Sequence, residues 1–160
     1  MNTTKIVKSA LFLAIIYVTT LLIVIPIPGG NGYINISDAL IMLVSTIFTF
    51  PFNFLISGIS TMLADLTLGY PSYAIFTLFI KGFESIIVTT TLKKTNKTLI
   101  AFCLGGLFMV LAYGLTDVLL TSSLYAFVPA IIANTPQAIA CIIIAQLVYK
   151  PFQKIISKKD

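Results

Sequence analysis

Apolar residues fill positions 6–25, 38–50, 52–66, 73–92, 98–122 and 127–149, and polar or turn-forming residues collect between them. Crossing a bilayer core as helix takes roughly 20 consecutive apolar residues, so four of these runs qualify at once. The block from Asp38 to Asp65 is ambiguous. It reads as one long kinked helix or as two short ones meeting at Phe50-Pro51-Phe52-Asn53, where proline removes a backbone donor and disfavours helix at the residue before it. The lysines decide between them. With two helices there are six spans, and Lys5, Lys8, Lys93, Lys94, Lys97, Lys150, Lys154, Lys158 and Lys159 all share one side. With one helix, the 93–97 loop and the tail fall opposite Lys5 and Lys8. The preference for lysine on the cytoplasmic face selects six. The expected fold is therefore an all-α integral membrane protein, a six-transmembrane-helix bundle with both termini cytoplasmic, forming one domain over residues 1–160. Spans two and three are short, about 20 to 23 Å at the rise of a helix, and need little tilt or support from neighbours.

Composition agrees with this class. Hydrophobic residues make up 58% of the chain and charged residues 9%, with neither histidine nor tryptophan, and the mean hydropathy of +1.05 exceeds what the core of a water-soluble domain requires. The net charge of +5 is mostly lysine on the cytoplasmic face, beside anionic membrane lipid, so it carries no nucleic-acid signal. Lysines precede the first apolar run, but no small-residue cleavage site follows it, and the run reads as a retained span.

Polar residues inside the spans are the informative exceptions, because a charge at the centre of a membrane helix costs roughly 2.5–3.5 kcal/mol. Lys81 and Glu84, in "FIKGFES", lie about 12 Å and 16 Å along the fourth span from its outer end and share one helix face. They can neutralise each other or serve a ligand. Asn134 and Gln137 sit at similar depths in the sixth span beside Pro136, either as interhelical glue or as cavity lining. Tyr113 and Asp117 are one turn apart near the outer end of the fifth. Asp38 and Asp65 are placed at the outer surface, and the inner half of the bundle reads as almost purely apolar. The pattern is an outward-facing cup closed underneath.

The loop "PIPGGNGYINIS", residues 26–37, supplies Tyr33 and Asn35 as lid material and Ser37 as a candidate N-cap for the second span. Tyr70, Tyr73 and Tyr125 occupy the other outer connections, as interfacial anchors or as stacking partners for a flat ligand. No phosphate-binding glycine loop is present, and Cys103 and Cys141 stand alone in apolar helix. ATP hydrolysis, metal ligation and Cys/His catalysis therefore have no constellation to work with. The sequons at Asn2, Asn35 and Asn96 are pattern matches without weight. In the first span, Ala10 and Ala14 form a small-x-x-x-small pair that lets another helix approach closely, within the bundle or from outside.

Six short helices, Ala10-x-x-x-Ala14 in the first, a glycine-rich outer loop after it and Lys81-Gly82-x-Glu84 in the fourth resemble the substrate-binding S component of an energy-coupling factor (ECF) vitamin transporter. The resemblance covers the whole chain. It implies that Ala10 and Ala14 dock onto a transmembrane T component that carries two ATPase subunits, and that the chain itself is neither an enzyme nor a cofactor protein. It implies a small-molecule vitamin held in the outer half, in the plasma membrane of a bacterium, by Lys81, Glu84, Asp117, Asn134 and Gln137. Tyr33 and Asn35 would cover it, and Tyr113 lies at the same level. Absence of tryptophan disfavours thiamin, and absence of arginine disfavours biotin or folate. A mixed lysine, carboxylate and amide set with tyrosines suits a small, flat, hydroxylated heterocycle that is neutral or zwitterionic, so a pyridoxine- or hydroxymethylpyrimidine-like compound ranks first and riboflavin second. Two alternatives stay open: a self-sufficient ion-coupled carrier using Lys81, Glu84 and Asp117 as a charge relay, and a structural membrane subunit that binds nothing.

Overall fold

The computed structural model describes residues 3–26 and 33–157. Asn2, the tip of the first outer loop (27–32), Lys158, Lys159 and Asp160 lie outside the described residues. Six α-helices follow one another: α1 Thr3–Leu22, α2 Ser37–Val44, α3 Phe52–Leu68, α4 Pro71–Thr95, α5 Thr98–Thr121 and α6 Phe127–Ser157. A 3-10 turn, Leu124–Ala126, precedes α6. Between α1 and α2, β1 (Ile25–Pro26) and β2 (Tyr33–Ile34) pair antiparallel, Ile25 opposite Ile34 and Pro26 opposite Tyr33. Among the described residues, four helical segments are long and apolar enough to cross a membrane: α1, α4, α5, and α6 together with its leading turn.

The 38–65 block is two helices, as the proline requires, but the break is wider than the sequence suggests. α2 has 8 residues, about 12 Å, well under half the roughly 30 Å of a bilayer core. The reading of 38–50 as a helical span is therefore corrected. The side chains of Ser45 and Thr46 donate to the carbonyls of Ile41 (2.6 Å) and Leu43 (2.7 Å), and the backbone tightens into Thr46-to-Leu43 and Ile47-to-Val44 bonds. Helix thus ends before Pro51 is reached, and α3 starts just after the cis Phe50–Pro51 bond. Non-helical backbone at this depth needs protein around it, and Asn35, Ser37 and Ser45 are all buried. The N-cap of α2 is Ile36 and not Ser37. The capping oxygen comes from one residue further back, where Asn35 Oδ1 accepts the Ser37 backbone N–H at 2.9 Å and also the Ser37 hydroxyl.

Helices α3 and α4 pack closest because glycines remove the side chains between them. A Cβ on Gly58 would stand 2.5 Å from the Leu78 carbonyl oxygen, and one on Gly82 2.3 Å from the Phe54 ring. Apolar cores join α2, α4, α5 and α6 around Met42, Val88, Phe102 and Cys141, and α1, α2 and α3 around Ile16, Val44 and Ile56. The outward faces of α1, α5 and α6 carry exposed Leu, Ile and Val, as lipid contact requires.

The lysine-bearing segments gather at one end: Lys5 Nζ lies 4.4 Å from the Phe52 ring centre, Gln153 donates to Thr46 at 2.7 Å, and Thr98 bonds Gln146 at 3.0 Å. The interior towards this end is not purely apolar, which corrects the sequence reading. Asn53 donates to the Ser85 carbonyl (3.2 Å) and to Thr89 Oγ1 (2.9 Å), and the Thr89 hydroxyl faces the Ser45 carbonyl at 2.7 Å. A hydrogen-bonded plug therefore ties the 45–51 turn to α3 and α4. Such groups are quiet in a hydropathy pattern because serine, threonine and asparagine carry no charge.

Substituting Gly58→Ala should force α3 from α4 and lower the stability of the detergent-solubilised protein by about 1–3 kcal/mol, the range for overpacking a tight contact. Chemical or thermal unfolding followed by helical circular dichroism reads this; an unchanged midpoint would show that the two helices do not meet at Gly58.

Candidate functional site

Six elements bring polar side chains to one buried place. At its centre is Asp38, in the first turn of α2 and fully buried. Its Oδ1 accepts Lys81 Nζ from α4 at 2.5 Å, and its Oδ2 accepts Gln137 Nε2 from α6 at 2.6 Å. Gln137 Oε1 in turn accepts the Asn35 backbone N–H at 3.1 Å, and the Cys141 thiol points at the Asn35 carbonyl at 3.7 Å. The segment entering α2 is thereby pinned to α6. Lys81 also lies 3.5 Å from Glu84 Oε2, one turn on, and 5.3 Å from the centre of the Tyr113 ring.

Above this centre, Tyr33 in β2 donates to Asp65 Oδ1 of α3 at 2.6 Å, and its ring meets that of Tyr70 at 5.2 Å between centres. Burial and the neighbouring Asp65 carboxylate push the Tyr33 phenol far above its ordinary range, so it stays a donor. Tyr113 bonds Thr77 at 3.1 Å. Ser57, Thr61 and Asp65 follow one another at every fourth position, hence on one face of α3, and all three are buried.

The expected Lys81–Glu84 neighbours are present, but the nearer partner of Lys81 is Asp38. Asp38 and Asp65, placed at the outer surface by counting residues, are buried instead. They are the residues that sequence reasoning missed. The available signal was the shortness of the second apolar run, since a helix too short to span can begin at depth. Of the eight expected substrate contacts, Tyr33, Asn35, Lys81, Glu84, Tyr113 and Gln137 come together. Asp117 stands apart, half-buried, and accepts the Tyr73 hydroxyl at 2.6 Å. Asn134 does not join either, because its amide turns back onto its own helix and donates to the Ala130 carbonyl at 2.9 Å. The α6 helix continues through Pro136. Tyr125 is 91% exposed and belongs to no tyrosine ring around the site. Ala10 and Ala14 lie exposed on α1, whose buried residues are Ile16 and Thr20.

The polar account is unbalanced. Both oxygens of Glu84, Asp65 Oδ2 and Ser57 Oγ are buried without a hydrogen-bond partner among the described residues. Three of these four atoms are carboxylate oxygens, acceptors that call for N–H or O–H donors. A buried acceptor left unmade costs about 1–3 kcal/mol, more when charged. The described residues hold no group of three or more ligating side chains that could take a metal ion.

A model of the family described as "ECF-type riboflavin transporter, S component" matches residues 1–154. A protein of Pyrococcus woesei, described as an uncharacterized protein in gap 3'region, is 46% identical over 99 residues. That match covers 60% of this chain and 66% of the Pyrococcus protein, just under two thirds of its length. With its apolar helices, the family match makes this a multi-pass membrane protein.

Replacing Lys81 with methionine strands Asp38 and Glu84 as buried carboxylates, and should destabilise by about 3–5 kcal/mol. Adding Asp38→Asn, which keeps an acceptor for Gln137 without the charge, should recover part of that loss. Thermal unfolding of the wild type, both single variants and the double variant in nanodiscs measures the coupling, and strictly additive losses would count against the pair as the organising contact.

Proposed function

The chain belongs to the family of ECF-type riboflavin transporter S components, and from that premise we propose that it is the vitamin-capturing membrane subunit of an ECF importer, not an enzyme. The single observation behind this reading is the buried cluster of Asp38, Lys81, Glu84, Asp65 and Gln137, with acceptors left over, inside a membrane protein of this family. Intramembrane ionisable residues mark functional sites by default. The six-pass topology with both termini in the cytoplasm is part of the proposal, its second crossing made by the 33–36 stretch, α2 and the 45–51 turn together and not by a helix alone. It is supported by the lysines at one end and by Tyr33, Asp65 and Tyr70 at the other.

The substrate is a small, flat, hydroxylated nitrogen heterocycle. A pyridoxine- or hydroxymethylpyrimidine-like compound fits a site whose unmade groups are mostly acceptors, since its hydroxyls and ring or exocyclic nitrogens are donors. Riboflavin is the second reading, favoured by the description of the matching family. Its ribityl hydroxyls and imide N–H would answer the same acceptors. Tyr33 and Asn35 belong to the segment that covers the ligand, with Tyr113 beside Lys81, and Asp117 acts through Tyr73 at the entrance.

Delivery requires partners. The exposed Ala10–Ala14 face of α1 docks a T component helix, two ATPase subunits supply energy, and the bundle reorients to present the ligand inward. Between their lysine-bearing ends, the outer surfaces of α1, α5 and α6 are apolar, which keeps the cost of such reorientation low.

Binding and docking should separate by mutation. Lys81→Ala is expected to weaken vitamin binding at least tenfold in the purified chain. Ala10→Trp or Ala14→Trp should leave binding within about twofold and abolish uptake by cells that supply the T component and ATPases. Native mass spectrometry of the wild type should reveal a co-purified heterocycle. Vitamin-driven uptake into liposomes by this chain alone would replace the proposal with an ion-coupled carrier, and a chain that holds no ligand would make it a structural subunit.

A further inference from the structure

Every buried charge in the cluster can be accounted for by sign. Asp38 and Glu84 are fully buried, Asp65 is 4% exposed and Lys81 2% exposed, so the interior holds three buried carboxylates and one ammonium, which contacts two of them. Asp38 takes the short contact with Lys81 at 2.5 Å, and Glu84 the longer one at 3.5 Å. Asp65 receives the Tyr33 hydroxyl, a neutral donor. The other titratable side chains packed here are Tyr33 from β2, Tyr113 from α5, Tyr73 from α4 and Cys141 from α6, and none of them carries positive charge. Three negative charges against one leave an excess of two, in a place where an uncompensated ion is far costlier than in water.

Glu84 is the residue on which this excess falls. Both its oxygens lack a hydrogen-bond partner among the described residues, although the side chain is aimed at the Lys81–Asp38 pair. Helix α5 closes over it at Gly105, where a Cβ would stand 3.5 Å from Glu84 Cγ and 2.6 Å from Val88 Cγ2. Ser57 Oγ, fully buried and likewise unpartnered, is a second and uncharged group left open on α3.

We infer that the cargo is a cation: a protonated amine or N-protonated heterocycle whose N–H group is taken by Glu84, with Asp38 and Asp65 holding its charge at longer range. This rests on the reading of the cluster as the vitamin site, and it adds the charge of the ligand to that reading. Lys81 then sets the balance by neutralising Asp38, so that a single cation answers Glu84, and Asp65 keeps the Tyr33 hydroxyl. A neutral flavin would leave the excess in place. The competing way to discharge Glu84 is a proton, which makes it a neutral acid, and glutamine is the near-isosteric stand-in for that form.

The test compares pyridoxamine with pyridoxine, which differ in an aminomethyl group, protonated at neutral pH, in place of a hydroxymethyl, and adds riboflavin as a neutral flavin. Affinities for the full chain in nanodiscs at pH 7 are measured by calorimetry, for wild type and Glu84→Gln, with thermal unfolding as the folding control. The inference expects pyridoxamine to bind at least tenfold tighter than pyridoxine to wild type, and this preference to fall to near unity in Glu84→Gln. Equal or tighter binding of pyridoxine or riboflavin would overturn the inference and leave vitamin capture standing, as would Glu84→Gln that changes neither affinity. Should the variant unfold, the wild-type ratio alone decides. Absence of binding by all three compounds, together with no co-purified heterocycle, would overturn vitamin capture as well.

Discussion

The contact on which the structure depends is the one between Asp38 and Lys81, because it fixes where a non-helical stretch of chain can lie inside a membrane protein. A carboxylate at that depth costs least with its charge answered and both oxygens bonded. Lys81 and Gln137 do so from two different helices. The same Gln137 side chain accepts the Asn35 backbone N–H, so one amide serves both the ion pair and the backbone that has not yet become helix. Asn35 then starts α2 by accepting from Ser37. The short helix, its extended approach and the ion pair are parts of a single solution to keeping backbone groups satisfied away from water.

Much of the architecture was legible from the chain because long apolar runs and proline act locally. The helices around 73–92 and 98–122 fall where hydropathy puts them, and the break before Phe52 follows from Pro51. What was not legible depended on depth. Residue counting from a presumed surface places Asp38 at the start of a span, but α2 begins inside the protein, after an extended stretch whose course no periodicity records. Asn134 shows the opposite error: three residues from Gln137, it shares its face in the sequence, yet a side chain that bonds its own helix needs no neighbour. Helical spacing tells which residues can meet across an interface, and the local alternative of bonding to the preceding turn is invisible to it.

The two polar assemblies of the interior differ in kind. Towards the lysine-rich end, Asn53, Thr89 and the carbonyls of Ser45 and Ser85 form a neutral set with its partners assigned. Higher up, the charged set keeps unmade acceptors on Glu84 and Asp65. Satisfied neutral networks rigidify and specify a packing arrangement, whereas partly satisfied ones hold free energy that something else can release. The lower set therefore belongs to the scaffold, tying the 45–51 turn to α3 and α4 so that α2 does not slide. The upper set is where a ligand has most to gain.

That division bears on how a ligand could enter. Above the ion pair, the covering contact among the described residues is the Tyr33 phenol on Asp65, with the Tyr70 ring tilted against it. Opening there breaks one hydrogen bond to a carboxylate and exposes aromatic rings suited to an interface. Opening from below means separating the glycine contacts of α3 and α4 and undoing the Asn53 network. Because the first change is confined to a loop and the second requires helices to part, the route of least resistance passes under β2. The Asn35–Gln137 bond holds the inner end of that segment to α6. Tyr33, bonded to Asp65, and Asn35, bonded to Gln137, are thus two positions apart, so a short stretch of chain touches both α3 and α6.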